Sequence, residues 1–153
     1  MAKRGKHRIQ KKLSDLSESG PVCTSFILCD RAVFNGKWNL IGIFDLLTVS
    51  RGEKVEATFD AYCRIESASQ GQYFRAELLP LDKDATRGDV LWASETMATR
   101  SQFELAFHVK NVILSIGQYA LVLFEIRKDN GTEAIRAFHF ARFSVSKSTE
   151  SKG

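Results

Sequence analysis

Residues 55–66, with the sequence VEATFDAYCRIE, alternate apolar and polar side chains along their length. The odd-numbered positions from Val55 to Ile65 are all apolar, whereas the even-numbered positions carry charged or hydroxyl-bearing side chains. Successive side chains of a β-strand point to opposite faces of a sheet, so this period of two predicts a strand with one dry face. We expect the odd-numbered face to pack into a core.

Similar patterns continue through the rest of the chain. Residues 102–109 repeat the alternation, whereas 23–29, 40–47 and 119–126 are apolar on both faces, which is typical of central strands. We therefore predict an all-β domain, an antiparallel β-sandwich of about eight strands without a helix longer than two turns. The side chains expected to be mostly buried are Trp38, Leu40, Phe59, Cys63, Phe107, Leu121 and Phe138.

Asn130-Gly131 predicts a tight hairpin, because a type I′ turn needs two residues that accept positive φ angles. A two-residue turn also sets His139 across from Val122. The register then brings together two pairs of opposite charge and one apolar pair, which are Lys128 with Glu133, Glu125 with Arg136, and Ile126 with Ile135.

Asn35-Gly36 predicts a second hairpin of the same kind. Here a two-residue turn pairs branched or aromatic residues, namely Val33 with Trp38 and Ile27 with Phe44. Gly42 lies inside the second strand of this hairpin, and a glycine in a strand interior predicts a bulge or a bend.

The length of 153 residues fits one domain, and the distribution of charge divides the chain further. Residues 21–147 hold fifteen basic and fifteen acidic residues, so the net charge of +4 originates at the N-terminus. We predict a basic flexible arm or short amphipathic helix over 1–20, a β-sandwich domain over 21–146, and a disordered stub over 147–153.

The basic arm is the most distinctive local feature of the sequence. Its charges suit a polyanion or an acidic partner, such as nucleic acid or an anionic surface. No aromatic residue is present to stack on bases, so contacts to nucleic acid are expected to reach phosphates only. A solubilising tail is the alternative. The expected polyanion-binding residues are Lys3, Arg4, Lys6, Arg8, Lys11 and Lys12.

The sequence carries no catalytic, cofactor-binding or metal-binding motif, so we predict no catalytic residue, no cofactor and no metal. Cys23 and Cys29 are too far apart along one strand to share a tetrahedral ion, and Cys63 continues an apolar face. Three cysteines without a signal peptide predict reduced thiols and a cytoplasmic location. No apolar run is long enough for a membrane-spanning helix.

A small-ligand-binding sandwich or barrel, or an enzyme, is the alternative function, with a pocket at one end that involves Asp30, Asp45 or His139. The two aspartates lie in or beside apolar strands, and a simpler interpretation is that each bonds a nearby backbone N–H. Gly36-Lys37-Trp38 also matches the short G-x-W of lipocalins, which makes a ligand-carrying barrel the alternative fold.

Several segments resemble a known family. Phe26-Ile-Leu-Cys-Asp30, the turn Asn35-Gly-Lys37 and Leu40-Ile-Gly-Ile-Phe-Asp45 are similar to the start of an uncharacterised bacterial domain-of-unknown-function family. Asn111-Val-Ile-Leu114 and Gly117-Gln-Tyr119 are similar to its later segment. The resemblance covers most of 22–145 and not the arm. It implies an immunoglobulin-like β-sandwich in a bacterial cell and carries no activity.

With no catalytic motif and a body of zero net charge, the sequence favours a non-catalytic interaction module. We expect the sandwich to contact a protein partner or a second copy of itself.

We predict that residues 1–16 order on a polyanion and that this binding weakens steeply with salt, since each neutralised phosphate releases a counterion. The measurement is a titration of labelled DNA, RNA or anionic vesicles at two salt concentrations. The full chain is compared with a chain that starts at Gly20. Equal binding by the two chains, or binding that ignores salt, would show that the arm is only a tail.

Overall fold

The computed structural model of the protein describes residues 20–81, 89–129 and 131–148. These residues form nine β-strands and no helix, in agreement with the predicted all-β class. The strands are β1 (Val22–Phe34), β2 (Trp38–Ile43), β3 (Leu46–Val49), β4 (Lys54–Glu66), β5 (Tyr73–Pro80), β6 (Trp92–Met97), β7 (Phe103–Ser115), β8 (Gly117–Asp129) and β9 (Thr132–Lys147).

The strands form two sheets that pack against each other in a sandwich-like arrangement. Sheet A has the order β2-β1-β4-β7 and is antiparallel throughout. Sheet B has the order β3-β9-β8-β5-β6, in which the short β3 runs parallel to β9 and the other pairs are antiparallel. The sheets are antiparallel as predicted except for this one pair, and the described residues form nine strands where about eight were predicted.

The alternation in 55–66 determines how β4 packs. Phe59, Cys63 and Ile65 are fully buried on the inner face, and Val55 is partly buried at the start of the strand. Full burial of one large apolar side chain contributes about 1.5–3 kcal/mol, so this face is a main source of stability. The predicted inward face of β4 is thus confirmed.

Aromatic contacts join the two sheets through the core. Phe74 of sheet B lies 5.7 Å from Phe103 of sheet A, measured between ring centroids. Trp92 meets Phe107 edge-on at 6.4 Å. Of the residues predicted to be mostly buried, Phe59, Cys63, Phe107 and Leu121 are buried, whereas Trp38, Leu40 and Phe138 are only partly buried.

The chain passes from sheet A to sheet B between β2 and β3. Phe44 N–H donates to Leu28 O on β1 at 3.1 Å, and Asp45 O accepts from Ser144 N–H on β9 at 2.9 Å. The prediction that 40–47 forms one central strand is therefore wrong, because it contributes two short edge strands. Exposed and partly buried apolar residues occur on both sides of the crossover: Ile41, Ile43 and Leu46 are exposed, whereas Phe44 and Leu47 pack against the core, and composition alone does not distinguish them.

The β8–β9 hairpin confirms the register predicted from Asn130-Gly131, including all three predicted side-chain pairs. Further along, the register shifts between Leu123 and Phe124, because β9 accommodates one additional residue. His139 consequently lies across from Leu123 rather than Val122.

The β1–β2 hairpin differs from its prediction by one residue. Phe34 pairs with Trp38, so the turn contains three residues, with Gly36 at φ +88°. Gly36 is the middle residue of this turn, and glycine adopts the left-handed conformation there without steric cost. The predicted partners Val33 with Trp38 and Ile27 with Phe44 are therefore wrong, and Val33 pairs with Asn39.

Position 42 requires a glycine because of its backbone conformation and because of the neighbouring Asp30 side chain. Its φ of +69° lies in the left-handed region, and a Cβ at this position would collide with the carboxylate of Asp30 on β1. This explains the glycine inside β2, where the sequence predicted a bulge or bend. The pairing register of β1 with β2 is the same on both sides of Gly42, so the irregularity is a change of backbone conformation rather than an inserted residue.

We predict that Gly42→Ala lowers the free energy of unfolding by more than Gly36→Ala does. A left-handed alanine costs about 1–2 kcal/mol at either site, but only Gly42 adds a collision. Urea denaturation of both variants measures the difference, and Asp30→Ala in the Gly42→Ala background is expected to recover the excess loss. Equal losses for the two single variants would contradict this explanation.

Candidate functional site

Asp30 lines a cleft of about 320 Å³ formed mainly by residues of β3 and β4. Its side chain is exposed, and Thr48 and Thr58 also line the cleft. Asp45 and His139 do not line this cleft. Asp45 is exposed at the crossover between the sheets, where its backbone carbonyl is hydrogen-bonded to β9. The two predicted carboxylates therefore face solvent.

His139 lies at the side of the sandwich where β9 approaches β1. Its ring centroid is 5.7 Å from that of Phe26, and the residue is partly buried. Burial lowers the pKa of His139 below its usual value, which favours the neutral imidazole. This environment matches a packing role for His139. The predicted polyanion-binding residues of the arm lie outside the described residues.

A polar pair that the sequence patterns did not predict lies on the outer face of sheet A. Asp60 of β4 pairs with His108 of β7 across the sheet, and Asp60 Oδ1 lies 2.7 Å from His108 Nδ1. The second carboxylate oxygen, Oδ2, accepts a hydrogen bond from Ala32 N–H at 2.8 Å. Both residues fall on the face predicted to be wet, yet the Asp60 side chain is only 13% exposed, against 57% for His108.

The far part of the β1–β2 hairpin covers Asp60. Ala32 and Cys29 are buried, although Cys29 neighbours Asp60 on the outer side of sheet A. Trp38 contacts Tyr62 of β4 at 5.5 Å between ring centroids. The hairpin therefore bends over the outer face of sheet A, and the Asp60 carboxylate satisfies a backbone donor at that bend.

The Asp60–His108 pair resembles two members of a catalytic triad in its chemistry. A buried carboxylate that bonds Nδ1 orients the ring and leaves Nε2 available to solvent. In the part of the chain that the structure describes, no hydroxyl or thiol lies within hydrogen-bonding distance of the His108 ring. The described part of the chain thus offers no nucleophile to His108, and the hydrogen bond from Ala32 N–H to Asp60 holds the hairpin against the sheet.

A second buried carboxylate, that of Glu125, lies in sheet B. Glu125 of β8 is 1% exposed. It is the cross-strand partner of Phe74 on β5, and the two side chains lie on the same face of the sheet. Its Oε1 accepts from Gln72 Nε2 at 2.9 Å and from Arg127 Nε at 3.1 Å, and its Oε2 accepts from Arg136 at 3.2 Å. Burying a charge is costly without partners, and here three side chains supply them.

The thiols are placed as structural residues. All three are free, with Cys29 and Cys63 buried and Cys23 partly buried. Burial raises the pKa of Cys23 to about 11 and also raises the pKa values of Cys29 and Cys63, so the unreactive thiol form prevails at neutral pH. Among the described residues, no group of three or more histidine, cysteine, aspartate or glutamate side chains is arranged to hold a metal ion.

No protein-family model matches the chain, and no curated protein shows significant similarity to it. Within the described residues, no helix is long and apolar enough to span a membrane.

We predict that Asp60→Ala lowers the free energy of unfolding by about 1–3 kcal/mol, because it leaves the Ala32 N–H buried without an acceptor. Asp60→Asn retains an acceptor oxygen and is expected to lose less. Urea denaturation measures the stabilities, and amide hydrogen exchange measures protection of Ala32. His108→Gln is the matched control, in which Ala32 stays protected. Loss of that protection in His108→Gln would contradict the assignment.

Proposed function

We propose that the chain is a non-catalytic interaction module with an immunoglobulin-like topology, which binds another protein through the outer face of sheet B. The observation that carries the proposal is an apolar surface on that face. Leu121 and Leu123 of β8 point into the core, so Val122 and Phe124, at the alternate positions, point outward. Phe140 lies beside Val122 on β9 and is 53% exposed.

The surroundings of this surface fit a protein interface. Ile135 adds an exposed apolar side chain, and the guanidinium of Arg142 stacks over Phe140 at 5.1 Å. Aromatic residues and arginines are enriched in interface cores. Exposed, contiguous apolar patches on a protein surface mark sites of interaction with other proteins.

The rim of the surface defines the chemistry of the partner. Arg75 forms ion pairs with three carboxylates, those of Glu77, Glu95 and Glu133. Two further cations lie on this face, Lys128 across from Glu133 and Arg142 over Phe140, so the positive and negative charges around the apolar residues balance. We infer that the partner presents apolar side chains flanked by groups of both charges.

The strand order supports the immunoglobulin-like assignment. Immunoglobulin domains combine a sheet in which strands B and E are neighbours with a sheet of strands C, F and G. Here β4 neighbours β7 in sheet A, and β9, β8 and β5 are consecutive in sheet B. With β4 as B, β5 as C, β7 as E, β8 as F and β9 as G, these neighbours correspond.

Tyr119 supplies a second argument for this topology. It lies at the start of β8, and its hydroxyl donates to Ser115 O at 2.7 Å across the β7–β8 corner. Immunoglobulin folds have a tyrosine at this corner that bonds the backbone a few residues upstream. Leu121 stands where antibody domains have the second cysteine of the inter-sheet disulfide. The proposal therefore includes a disulfide-free variant of the fold suited to the cytoplasm of a bacterial cell.

The alternative of an enzyme or ligand carrier has less support from the same geometry. Its three candidate residues, Asp30, Asp45 and His139, do not share the described cleft. The basic arm remains in the proposal as an electrostatic tether, separate from the face of sheet B.

We predict that Phe140→Asp weakens binding to the protein partner about thirtyfold, which is the typical effect of losing an aromatic anchor. The partner is identified by cross-linking in cells and purified, and its Kd is measured by calorimetry. Ile113→Asp is the matched control, because Ile113 is an exposed apolar residue on β7 of the other sheet. Equal Kd values for Phe140→Asp and the parent chain would refute this surface.

A further inference from the structure

Strand β2 is an unpaired edge of sheet A that exposes apolar side chains. Its only neighbour among the described residues is β1. Ile41 and Ile43 are 54% and 66% exposed, and Phe34 across the hairpin is also exposed. The strand, with the sequence WNLIGI, contains no charged residue.

Folded proteins usually protect sheet edges against pairing with other strands by charged side chains, prolines or very short strands. The other edges of the two sheets follow this rule. Edge strand β7 carries Glu104 and Lys110, β6 carries Glu95, and β3 has only four residues. Edge strand β2 lacks these protections, which indicates that something pairs with it.

We propose that β2 pairs with β2 of a second copy of the chain, antiparallel and about a twofold axis at Ile41. The two copies of sheet A then form one continuous sheet. This self-association goes beyond the proposed binding through the outer face of sheet B, because its partner is a second copy of the chain and its surface is the edge of β2.

The charges that flank β2 favour this register. Lys37 directly precedes the strand, and Asp45 lies two residues after it. In an antiparallel pair centred on Ile41, the turn that holds Lys37 in each copy lies beside the end of β2 in the other copy, where Asp45 follows, and this gives two ion pairs related by symmetry.

Both flanking charges are available for such pairs. Lys37 and Asp45 are exposed, and neither has an ion-pair partner within the described ranges 20–81, 89–129 and 131–148. A twofold contact sets each residue near its own counterpart, so a charge at the axis would repel itself. Ile41 at the axis avoids this repulsion.

The backbone geometry is compatible with the same centre. Phe44 N–H is directed to β1, where it bonds Leu28 O. Backbone groups alternate in direction along a strand, and the register with β1 is the same on both sides of Gly42, so the backbone groups of Ile41 and Ile43 are directed to the free edge. Antiparallel pairing about Ile41 then makes Ile41 a hydrogen-bonded pair with its own counterpart, and Asn39 a hydrogen-bonded pair with Ile43.

The test is the dimer Kd of the full chain, measured by sedimentation equilibrium. Ile41→Lys sets two lysines together at the axis and is expected to raise the Kd at least a hundredfold. The matched control Ile113→Lys changes an isoleucine on β7 that is at least as exposed as Ile41, and it is expected to leave the Kd unchanged. Thermal unfolding of both variants checks that they fold.

Charge reversal tests the register itself. It uses two exposed positions at which a substitution is not expected to disrupt folding. Lys37→Glu and Asp45→Lys each create two like-charged pairs, and each is expected to raise the Kd about tenfold. The double variant restores opposite charges and is expected to return to within about threefold of the parent.

A parent chain that is monomeric at about 100 μM would overturn the inference. So would an Ile41→Lys variant that still dimerises, or a double reversal as weak as the single variants. These outcomes leave the proposed function intact if Phe140→Asp still weakens partner binding. Conversely, a β2 dimer whose partner binding ignores Phe140→Asp would refute the sheet B surface alone.

Discussion

Contact between Phe59 and Phe143 joins the two sheets at the centre of the core. Their ring centroids are 5.6 Å apart, and Phe44 meets both rings edge-on where the chain crosses from sheet A to sheet B. Tyr119 stacks on Phe143 from the other side at 5.5 Å. The crossover, the corner at the start of β8 and the inner face of β4 therefore converge on one aromatic cluster. Its tight packing constrains the path of all the strands around it.

The two buried carboxylates show how the fold uses polar groups inside an apolar frame. Asp60 accepts a backbone N–H and orients His108, and Glu125 is surrounded by Gln72, Arg127 and Arg136. In both cases, burying the carboxylate without hydrogen-bond partners would cost more free energy than the surrounding packing contributes. Each group therefore specifies one local arrangement: a bent hairpin over sheet A and a closed end of the core. Among the described residues, no hydroxyl or thiol bonds the His108 ring, and no metal-binding cluster forms at either carboxylate.

The surfaces proposed for recognition lie on different sheets and are compatible with each other. The edge of β2 belongs to sheet A, and the apolar surface around Phe140 belongs to the outer face of sheet B. A dimer through β2 would leave both copies of the Phe140 surface free. Two identical sites in one particle raise the avidity for a partner that is itself multivalent.

Local patterns in the sequence determined the strand faces and one hairpin register. The alternation in 55–66 specified which side of β4 is buried, because side-chain direction in a strand follows residue parity. Asn130-Gly131 specified the β8–β9 pairing, because the turn and its cross-strand partners agree within a few residues. Only the tertiary structure decided how 40–47 divides between the sheets, where β9 takes its additional residue, and that Asp60 meets His108. These features depend on which distant strands become neighbours, and that choice follows from packing around Phe44, Phe59 and Phe143 rather than from any local spacing.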